Sequence, residues 1–372
     1  MQTFPDLAVR DTFTLGMPRL SRIFDYQKQN GDLDVAWRAL RQVTLRGGFG
    51  WERWDRPDTR EVGRTDEYSG KFGLTYRPLS WLEIVGRYAR SWKRIDQYNT
   101  FAPLAHLVLP ENFSEEAAGF QSPLLRKFDE AARDRHKGEV AVRLKPMKGL
   151  DVGVSLALAQ DHYPFSPLGL QEDRNWTAGV DVGYTPVPWL TLRAKYERDE
   201  SHSRQRSRFR PDDVVPFDSV DLDWISRNVD TFDTVGAGAL VRLIPDRLDF
   251  QVDYLFQRSI ARVVSFNVAT PGSVTAGVTA DDPDTQARSL PDDRFSLHRL
   301  SGVMRYWLLK NLALRLGYAY ERFRTSYWRT DSLQPAGNVP IGTEGTADVF
   351  LGVKPFQNYG VHIIGGGISY GF

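Results

Sequence analysis

The chain ends in Val361-His362-Ile363-Ile364-Gly365-Gly366-Gly367-Ile368-Ser369-Tyr370-Gly371-Phe372, and this stretch decides the fold class. Side chains of an extended strand point alternately to opposite faces. One face therefore carries Ile364, Ile368, Tyr370 and Phe372, and the other carries Gly365, Gly367, Ser369 and Gly371. A soluble edge strand allows such a pattern too. The fold class thus depends on whether other segments repeat it.

The same alternation recurs on both sides of five short turns. The turns are Arg77–Ser80, Lys145–Gly149, Pro186–Pro188, Pro245–Arg247 and Leu308–Asn311. Before Pro186, for example, Val180 and Val182 share one face while Asp181 and Gly183 share the other. Period-2 alternation around Pro- or Gly-containing turns predicts antiparallel hairpins. The predicted strands, about thirteen, lie near 19–27, 35–54, 67–76, 81–95, 136–145, 150–162, 174–185, 190–201, 231–243, 249–260, 294–307, 312–328 and 361–372.

The environment of these strands follows from composition and loop lengths. No run approaches the about 18 apolar residues that a membrane-spanning helix needs, whereas a membrane barrel needs only alternate apolar residues. The turns at one end are short, and the connections at the other are long: 55–67, 96–135, 163–173, 202–230, 261–293 and 329–360. This asymmetry is typical of periplasmic turns and extracellular loops. The sequence therefore predicts an all-β fold, a transmembrane antiparallel up-and-down β-barrel in the bacterial outer membrane.

Aromatic residues support this interpretation because they cluster near the predicted strand ends, where the headgroup layer would lie. They are Trp81, Trp92, Trp176, Trp189, Trp307, Trp328, Tyr76, Tyr88, Tyr184 and Tyr320. The last residues resemble the closing strand of outer-membrane barrels, which the assembly machinery recognises. That resemblance predicts a C-terminal assembly signal at Ile368, Tyr370 and Phe372.

Residues 1–372 read as a single barrel domain. Thirteen strands are an odd number, whereas single-chain bacterial barrels have an even number with both termini on the periplasmic side. Met1–Asp6 also lacks the basic and apolar segments of a secretory signal. We therefore expect the chain to be the C-terminal part of a longer barrel. The alternative is a miscounted strand within the weakly patterned residues 1–29.

Composition excludes several functions. The 372 residues contain no cysteine, which rules out disulfides, thiol catalysis and covalent c-type haem on this chain. The formal net charge of +1 gives no support for nucleic-acid binding, and Arg204, Arg206, Arg208 and Arg210 read as solvated loop charge. The six histidines are scattered without metal-ligand spacing. We predict no catalytic, cofactor-binding or metal residues, and expect a short helix at 114–133 in one long loop.

The face opposite the apolar one is unusually small and charged. Its candidate lumen- or partner-facing residues are Gly153, Ser155, Ala157, Gly179, Gly183, Arg193, Lys195, Gly236, Gly238, Arg315, Gly317 and Gly367. Glycines in strands also ease curvature and bulges. The sharper hypothesis is a lumen kept bare so that a bulky partner can sit inside.

The last third of the chain resembles the MtrB/PioB family of decahaem-associated outer-membrane barrels. The resemblance rests on Leu316–Phe323 with Tyr327-Trp328, then Leu351-Gly352, Pro355, Asn358-Tyr359, His362 and the terminal Ser369–Phe372. Barrels of this family have about twice the strand number counted here. The resemblance implies a barrel that sheathes a periplasmic multihaem cytochrome c and allows electron transfer across the outer membrane. Haem c would then sit on the partner, with none bound by this chain, and the external loops would be free to dock a surface cytochrome.

Two other functions remain open at this point. A diffusion porin or specific uptake channel would use the same barrel with an open aqueous lumen. A barrel-embedded hydrolase is the third hypothesis, although the sequence singles out no serine or histidine for it.

Overall fold

The computed structural model describes residues 25–57, 60–100, 102, 122, 124–209, 220–268, 274–275, 278–279, 287–327, 336–341, 345–350 and 358–370. Its strands are β1 Gln27–Leu40, β2 Val43–Asp55, β3 Arg64–Leu79, β4 Leu82–Ile95, β5 Leu125–Arg126, β6 Arg133–Leu144, β7 Leu150–His162, β8 Leu168–Val187, β9 Leu190–Arg208, β10 Asp223–Ile244, β11 Leu248–Asn267, β12 Val274–Thr275, β13 Val278–Thr279, β14 Leu290–Leu309, β15 Leu312–Ser326, β16 Ala336–Ile341, β17 Gly345–Phe350 and β18 Tyr359–Tyr370. A 3-10 turn occupies Val220–Leu222.

Thirteen of these strands form one antiparallel meander in the order β1-β2-β3-β4-β6-β7-β8-β9-β10-β11-β14-β15-β18. β5 adds to β8 in parallel, and β12-β13 and β16-β17 are separate two-stranded ribbons. Among the described residues β1 and β18 are not paired with each other. β1 begins at the end of the sheet that carries the long connections, and β18 finishes at the end that carries the short turns. The predicted all-β antiparallel meander is confirmed.

The N-terminal prediction was wrong in its boundaries. Most of the strand predicted near 19–27 lies outside the described residues. In place of one strand at 35–54, the chain forms the β1-β2 hairpin around the turn at Arg41-Gln42. This turn contains no Pro or Gly, and β1 has polar Gln27 and Gln29 where an apolar residue would mark the strand. The other five turns lie where the sequence placed them.

Several strands also extend further than predicted at the long-loop end. β9 continues to Arg208 and β10 starts at Asp223, so that much of the predicted 202–230 loop is strand. Both faces of the β9 extension from Ser201 to Arg208 are polar, and the period-2 hydrophobic signal therefore disappears there. Cross-strand pairing continues nevertheless, and Arg206 and Arg208 both bind the buried carboxylate of Asp223. Arg204, Arg206 and Arg208 are thus strand residues, and Arg210 lies outside the described residues.

The predicted helix at 114–133 was wrong where the structure describes it. Residues 125–126 form strand β5 and 128–130 form a turn; most of 114–123 lies outside the described residues. Pro123 interrupts the segment, and β5 pairs with Leu168-Gly169 instead. No helix among the described residues is long and apolar enough to cross a membrane.

The register sorts side chains into an apolar and a polar face. On β9 the apolar face carries Leu190, Leu192, Ala194 and Tyr196 before the first charge at Arg198. Every strand of the meander repeats this, with four or five apolar or glycine positions from the turn and then a polar residue. These polar residues form a collar: Gln29, Arg53, Asp66, Arg90, His136, Gln160, Arg174, Arg198, Asp233, Arg258, His298, Arg322 and His362. Four or five alternate positions correspond to about nine residues, the length a strand needs to cross a bilayer.

Candidate functional site: the polar face of the sheet

The twelve residues predicted to face a lumen or partner all lie on the polar face. Cross-strand partners share a face, and Gly153, Asp181, Lys195 and Gly236 follow one another across β7, β8, β9 and β10. Continuing the register through β11, β14, β15 and β18 places Arg315 and Gly367 on the same face. The sheet thus brings the twelve residues onto one continuous surface. Their contact with a partner stays a prediction.

Many glycines of this face lie under a charged side chain of the neighbouring strand. Gly153 is directly opposite Asp181, and a Cβ built on Gly153 would lie 2.9 Å from Asp181 Cγ. Gly238 stands in the same relation to Asp253, with 3.3 Å to its Cγ. Because the glycine has no side chain, the acidic side chain can lie along the surface of the sheet, above the glycine. The charge then projects less from the surface.

The same arrangement recurs with a lysine and in the first hairpin. A Cβ on Gly236 would lie 3.0 Å from Lys195 Cγ. In β1-β2, Gly50 and Gly48 face Asp32 and Asp34, and a Cβ on Gly50 would lie 2.8 Å from Asp32 Oδ1. A glycine directly opposite a charged residue is therefore a recurrent pairing on this face.

Other glycines of the polar face are bare. A Cβ at Gly183, Gly365 or Gly367 would meet no atom within 4 Å, and Gly317 is near backbone atoms of Gly365. At the β15-β18 end of the sheet, the backbone at these glycines is consequently not covered by side chains. Close approach of a second chain is possible there without moving any side chain.

Ion pairs across strands balance the charges of the polar face. Lys71 Nζ lies 2.9 Å from Asp32 Oδ1, and Arg87 Nη1 lies 3.1 Å from Glu139 Oε2. Arg193 Nη2 lies 3.4 Å from Asp253 Oδ1. The sequence could not predict these pairs because each partner lies on another strand, and only the register brings the two together.

The apolar face carries the residues expected at a membrane. Ile368 and Tyr370 of the predicted assembly signal lie on this face of β18, and Phe372 lies outside the described residues. Of the predicted girdle aromatics, Tyr76 and Tyr184 lie near the short turns, Trp81 and Trp189 lie in them, and Trp328 lies outside the described residues. Trp176 precedes the polar collar.

Three Tyr–His pairs occupy equivalent positions on the apolar face, and sequence reasoning did not find them. The Tyr hydroxyl oxygen lies 2.7 Å from His Nδ1 in Tyr88–His136 and 2.8 Å in Tyr254–His298 and Tyr318–His362. In each pair the Tyr lies on the strand before a long loop and the His on the strand after it. The pairing satisfies the imidazole polar groups at the edge of the apolar band.

Beyond the strands, the described parts of three connections pack around two buried acids; these parts are residues 56–57, 60–63, 96–100, 102, 122 and 124–132. Glu61 and Glu130 are each 1 % exposed and bind Lys127 and Arg60 respectively. Burial raises the pKa of Glu130, the hydrogen bond from Arg60 opposes this, and the Glu61 charge raises the pKa further, leaving it above its ordinary value. For Glu61, burial raises the pKa, but the hydrogen bond from Lys127, a backbone hydrogen bond and the Lys127 charge together outweigh it, and the pKa falls below its ordinary value.

Tyr98 completes this loop cluster. Its hydroxyl accepts a 2.9 Å hydrogen bond from the Lys127 backbone N–H, and Arg126 stacks on its ring at 4.4 Å. Burial raises the pKa of Tyr98 to about 12. The phenol is therefore neutral and fixes the position of residue 127 beside Glu61.

No group of three or more His, Cys, Asp and Glu suited to a metal ion is found among the described residues. Five acids of one predicted long connection, Asp281, Asp282, Asp284, Asp292 and Asp293, have the oxygen ligands that calcium takes. The first three lie outside the described residues, and Asp292 contacts Arg262 and Arg294.

Comparison with known proteins identifies the family. Residues 2–372 match the family model described as "Putative outer membrane beta-barrel porin, MtrB/PioB". A curated relative, outer membrane protein MtrB of Shewanella baltica (strain OS185), is 24% identical over 304 residues, covering 81% of this chain and 38% of the relative. The chain thus spans well under half the length of that relative.

Solved structures with a similar backbone are outer-membrane transporters and receptors. The copper transporter OprC has a TM-score of 0.46 at 12% identity, covering 94% of this chain and 44% of OprC. The siderophore receptor PirA from Acinetobacter baumannii has a TM-score of 0.46 at 8% identity, covering 95% of this chain and 59% of the receptor. By the match over residues 2–372, the chain belongs to the MtrB/PioB family of outer-membrane β-barrels and is a protein of the bacterial outer membrane.

Proposed function

We propose that this chain is a wall segment of an outer-membrane barrel that sheathes a periplasmic multihaem c-type cytochrome. Electrons would cross the outer membrane along the haems of that partner, and this chain would insulate them from lipid. The haems would belong to the partner, since the 372 residues of this chain lack cysteine for haem attachment. The external loops would be available to a surface cytochrome.

The observation that carries the proposal is the flattened polar face. Charged side chains lie over directly opposed glycines at Gly153, Gly236 and Gly238, while Gly183, Gly365 and Gly367 are open. A protein inserted in the lumen needs a wall without projecting side chains, because both backbones have to approach. The cross-strand ion pairs leave this wall polar, as suits a hydrophilic partner surface.

A diffusion porin or uptake channel is the second candidate, favoured by the porin description of the family. Its lumen would hold water in place of a protein. Small solutes would then reach every position of the polar face. The two functions differ in what lies against Gly365 and Gly367: a protein partner in the sheath, and water in the channel.

Neighbouring positions of β18 provide the test. Single-cysteine variants Gly367→Cys and Gly365→Cys lie on the polar face, and Gly366→Cys lies on the apolar face as the matched control. In outer membranes from the native host, a short thiol-to-photocrosslinker adduct at 367 or 365 should link to a haem-staining protein, and the adduct at 366 should not. The chain has no other cysteine to confuse the labelling.

The opposite result would favour the channel. If 367 and 365 react quickly with a water-soluble maleimide, form no haem-staining adduct, and the purified protein conducts ions in a planar bilayer, the sheath proposal fails.

A further inference from the structure

A groove of about 880 Å³ lies on the apolar face, across β6 to β10 at the level of the polar collar. Leu158, Trp176 and Val229 line its apolar part, and Arg174, Arg204 and Arg227 line its charged part. Both kinds of side chain project from the face that carries the apolar band. The groove is therefore amphipathic and opens where the membrane meets water.

Two arginines of the groove face each other directly. Arg204 and Arg227 are cross-strand partners in β9 and β10. Like charges in this position destabilise a strand pair. Among the described residues neither guanidinium has an ion-pair partner, although Arg227 lies 5.2 Å from the centre of the Phe266 ring. That contact engages the face of a guanidinium and leaves its N–H edge available.

The acids of the region are already engaged by other groups. Glu172 Oε1 lies 2.5 Å from Arg174 Nη2 and accepts a 2.9 Å hydrogen bond from Gln160. Nearby, Glu200 contacts His202 Nε2 at 2.6 Å and Arg198 Nη2 at 3.1 Å. Glu172 is also the cross-strand partner of Arg204 on β8 and lines the groove, but its carboxylate is held by Arg174. Arg174, Arg204 and Arg227 therefore share one acid, and an anion from outside the chain would relieve the repulsion between Arg204 and Arg227.

The height of the groove indicates the source of that anion. On β9 the apolar positions end at Tyr196, and Arg204 lies beyond the first collar residue, Arg198. The groove also includes Leu158 and Trp176, the last apolar positions on β7 and β8, together with the adjoining collar residues Gln160 and Arg174. It therefore spans the level at which the apolar band ends. It lies at the end with the long connections, which in outer-membrane barrels is extracellular. The lipids at this level belong to the outer leaflet.

We propose that this groove binds a phosphorylated glycolipid of the outer leaflet. A phosphate would lie between Arg204 and Arg227, because a guanidinium donates two parallel hydrogen bonds to phosphate oxygens. An acyl chain would run over Leu158, Trp176 and Val229 toward the bilayer. Bound lipid would then pin the β8-β9-β10 sector of the wall in the membrane.

The test measures binding of lipid A to the full chain purified from outer membranes in detergent. The groove variant R204Q/R227Q should bind bisphosphorylated lipid A about tenfold or more weakly than wild type, as expected when charge-assisted hydrogen bonds are lost. The matched control R258Q/R322Q removes two exposed collar arginines outside the groove and should change binding less than about twofold. Heat-modifiable migration on gels verifies that each variant is folded.

Further probes separate the sources of phosphate. Wild type should bind dephosphorylated lipid A as weakly as the groove variant binds the bisphosphorylated form. Inorganic phosphate or phosphatidylglycerol binding as tightly as lipid A would overturn the proposal. An equal loss in R204Q/R227Q and R258Q/R322Q would overturn it too, since the collar as a whole would then be responsible.

Discussion

The sharpest prediction concerns the glycines that lie under charged side chains. In Gly153→Ala, the new Cβ would lie 2.9 Å from Asp181 Cγ and 3.0 Å from its Oδ2. Carbon atoms in contact prefer about 3.5–4.0 Å, and the aspartate has to rotate away from the wall. Because these atoms are the end of an exposed side chain, we expect a cost of about 0.5–1.5 kcal/mol, that of a side chain forced away from its rotamer. Gly183→Ala, on the same face with open space around it, should instead be neutral or stabilise by about 0.4–1 kcal/mol through the unfolded state.

Urea unfolding in detergent, followed by tryptophan fluorescence, measures both variants. Gly153→Ala should lower the midpoint at an unchanged m-value, and Gly183→Ala should not. Asp181→Ala in the Gly153→Ala background should recover most of the loss, because it removes the atoms that clash. The reasoning is refuted if the two glycine variants are equally stable, or if removing the Asp181 carboxylate gives no recovery.

Three further predictions concern the turns and the loop cluster. Gly149→Ala should destabilise the chain by about 1–2 kcal/mol or more in thermal unfolding, because residue 149 has φ +82° and its Cβ would press on the Thr185 carbonyl. Glu130→Gln should remove a pH dependence of hydrogen exchange in the loop cluster: the raised pKa of Glu130 stabilises the folded cluster below pH 4.5, and this stability is lost as pH rises through the raised pKa. Tyr98→Phe removes the acceptor for the Lys127 N–H. The hydrogen-exchange rate of that amide should therefore rise, which corresponds to a loss of about 1–3 kcal/mol in its free energy of protection.

Each of these has an internal control. Gly365→Ala has open space around its Cβ, and equal destabilisation by Gly149→Ala and Gly365→Ala would contradict the strain argument. Exchange rates corrected for intrinsic chemistry that vary with pH alike in wild type and Glu130→Gln would show that another group titrates. Unchanged exchange at Lys127 in Tyr98→Phe would mean that the phenol does not hold this loop.

The alternation of the sequence determined the meander because the bilayer imposes it. Between turn and collar, one side of every strand has to be apolar and the other polar, and Val180 and Val182 against Asp181 and Gly183 are enough to orient β8. The turn at Pro245–Arg247 could also be predicted from the sequence, since proline cannot continue a central strand.

The first hairpin and the strand extensions could not be predicted from the sequence, for a physical reason. Arg41-Gln42 has no turn residue, and from Ser201 to Arg208 both faces of the strand are polar. Without a hydrophobic period, only hydrogen bonds to the neighbouring strand and ion pairs such as Arg208–Asp223 decide that these residues are extended.

The sequence by itself determined which residues share the polar face, because that depends only on period 2 within each strand. What each residue faces was decided by the tertiary structure, since register joins residues far apart in the chain. Asp181 lies over Gly153 from 28 positions away, and Arg227 stands opposite Arg204. A shift of one residue between two strands would exchange these partners and turn the apolar side away from the lipid.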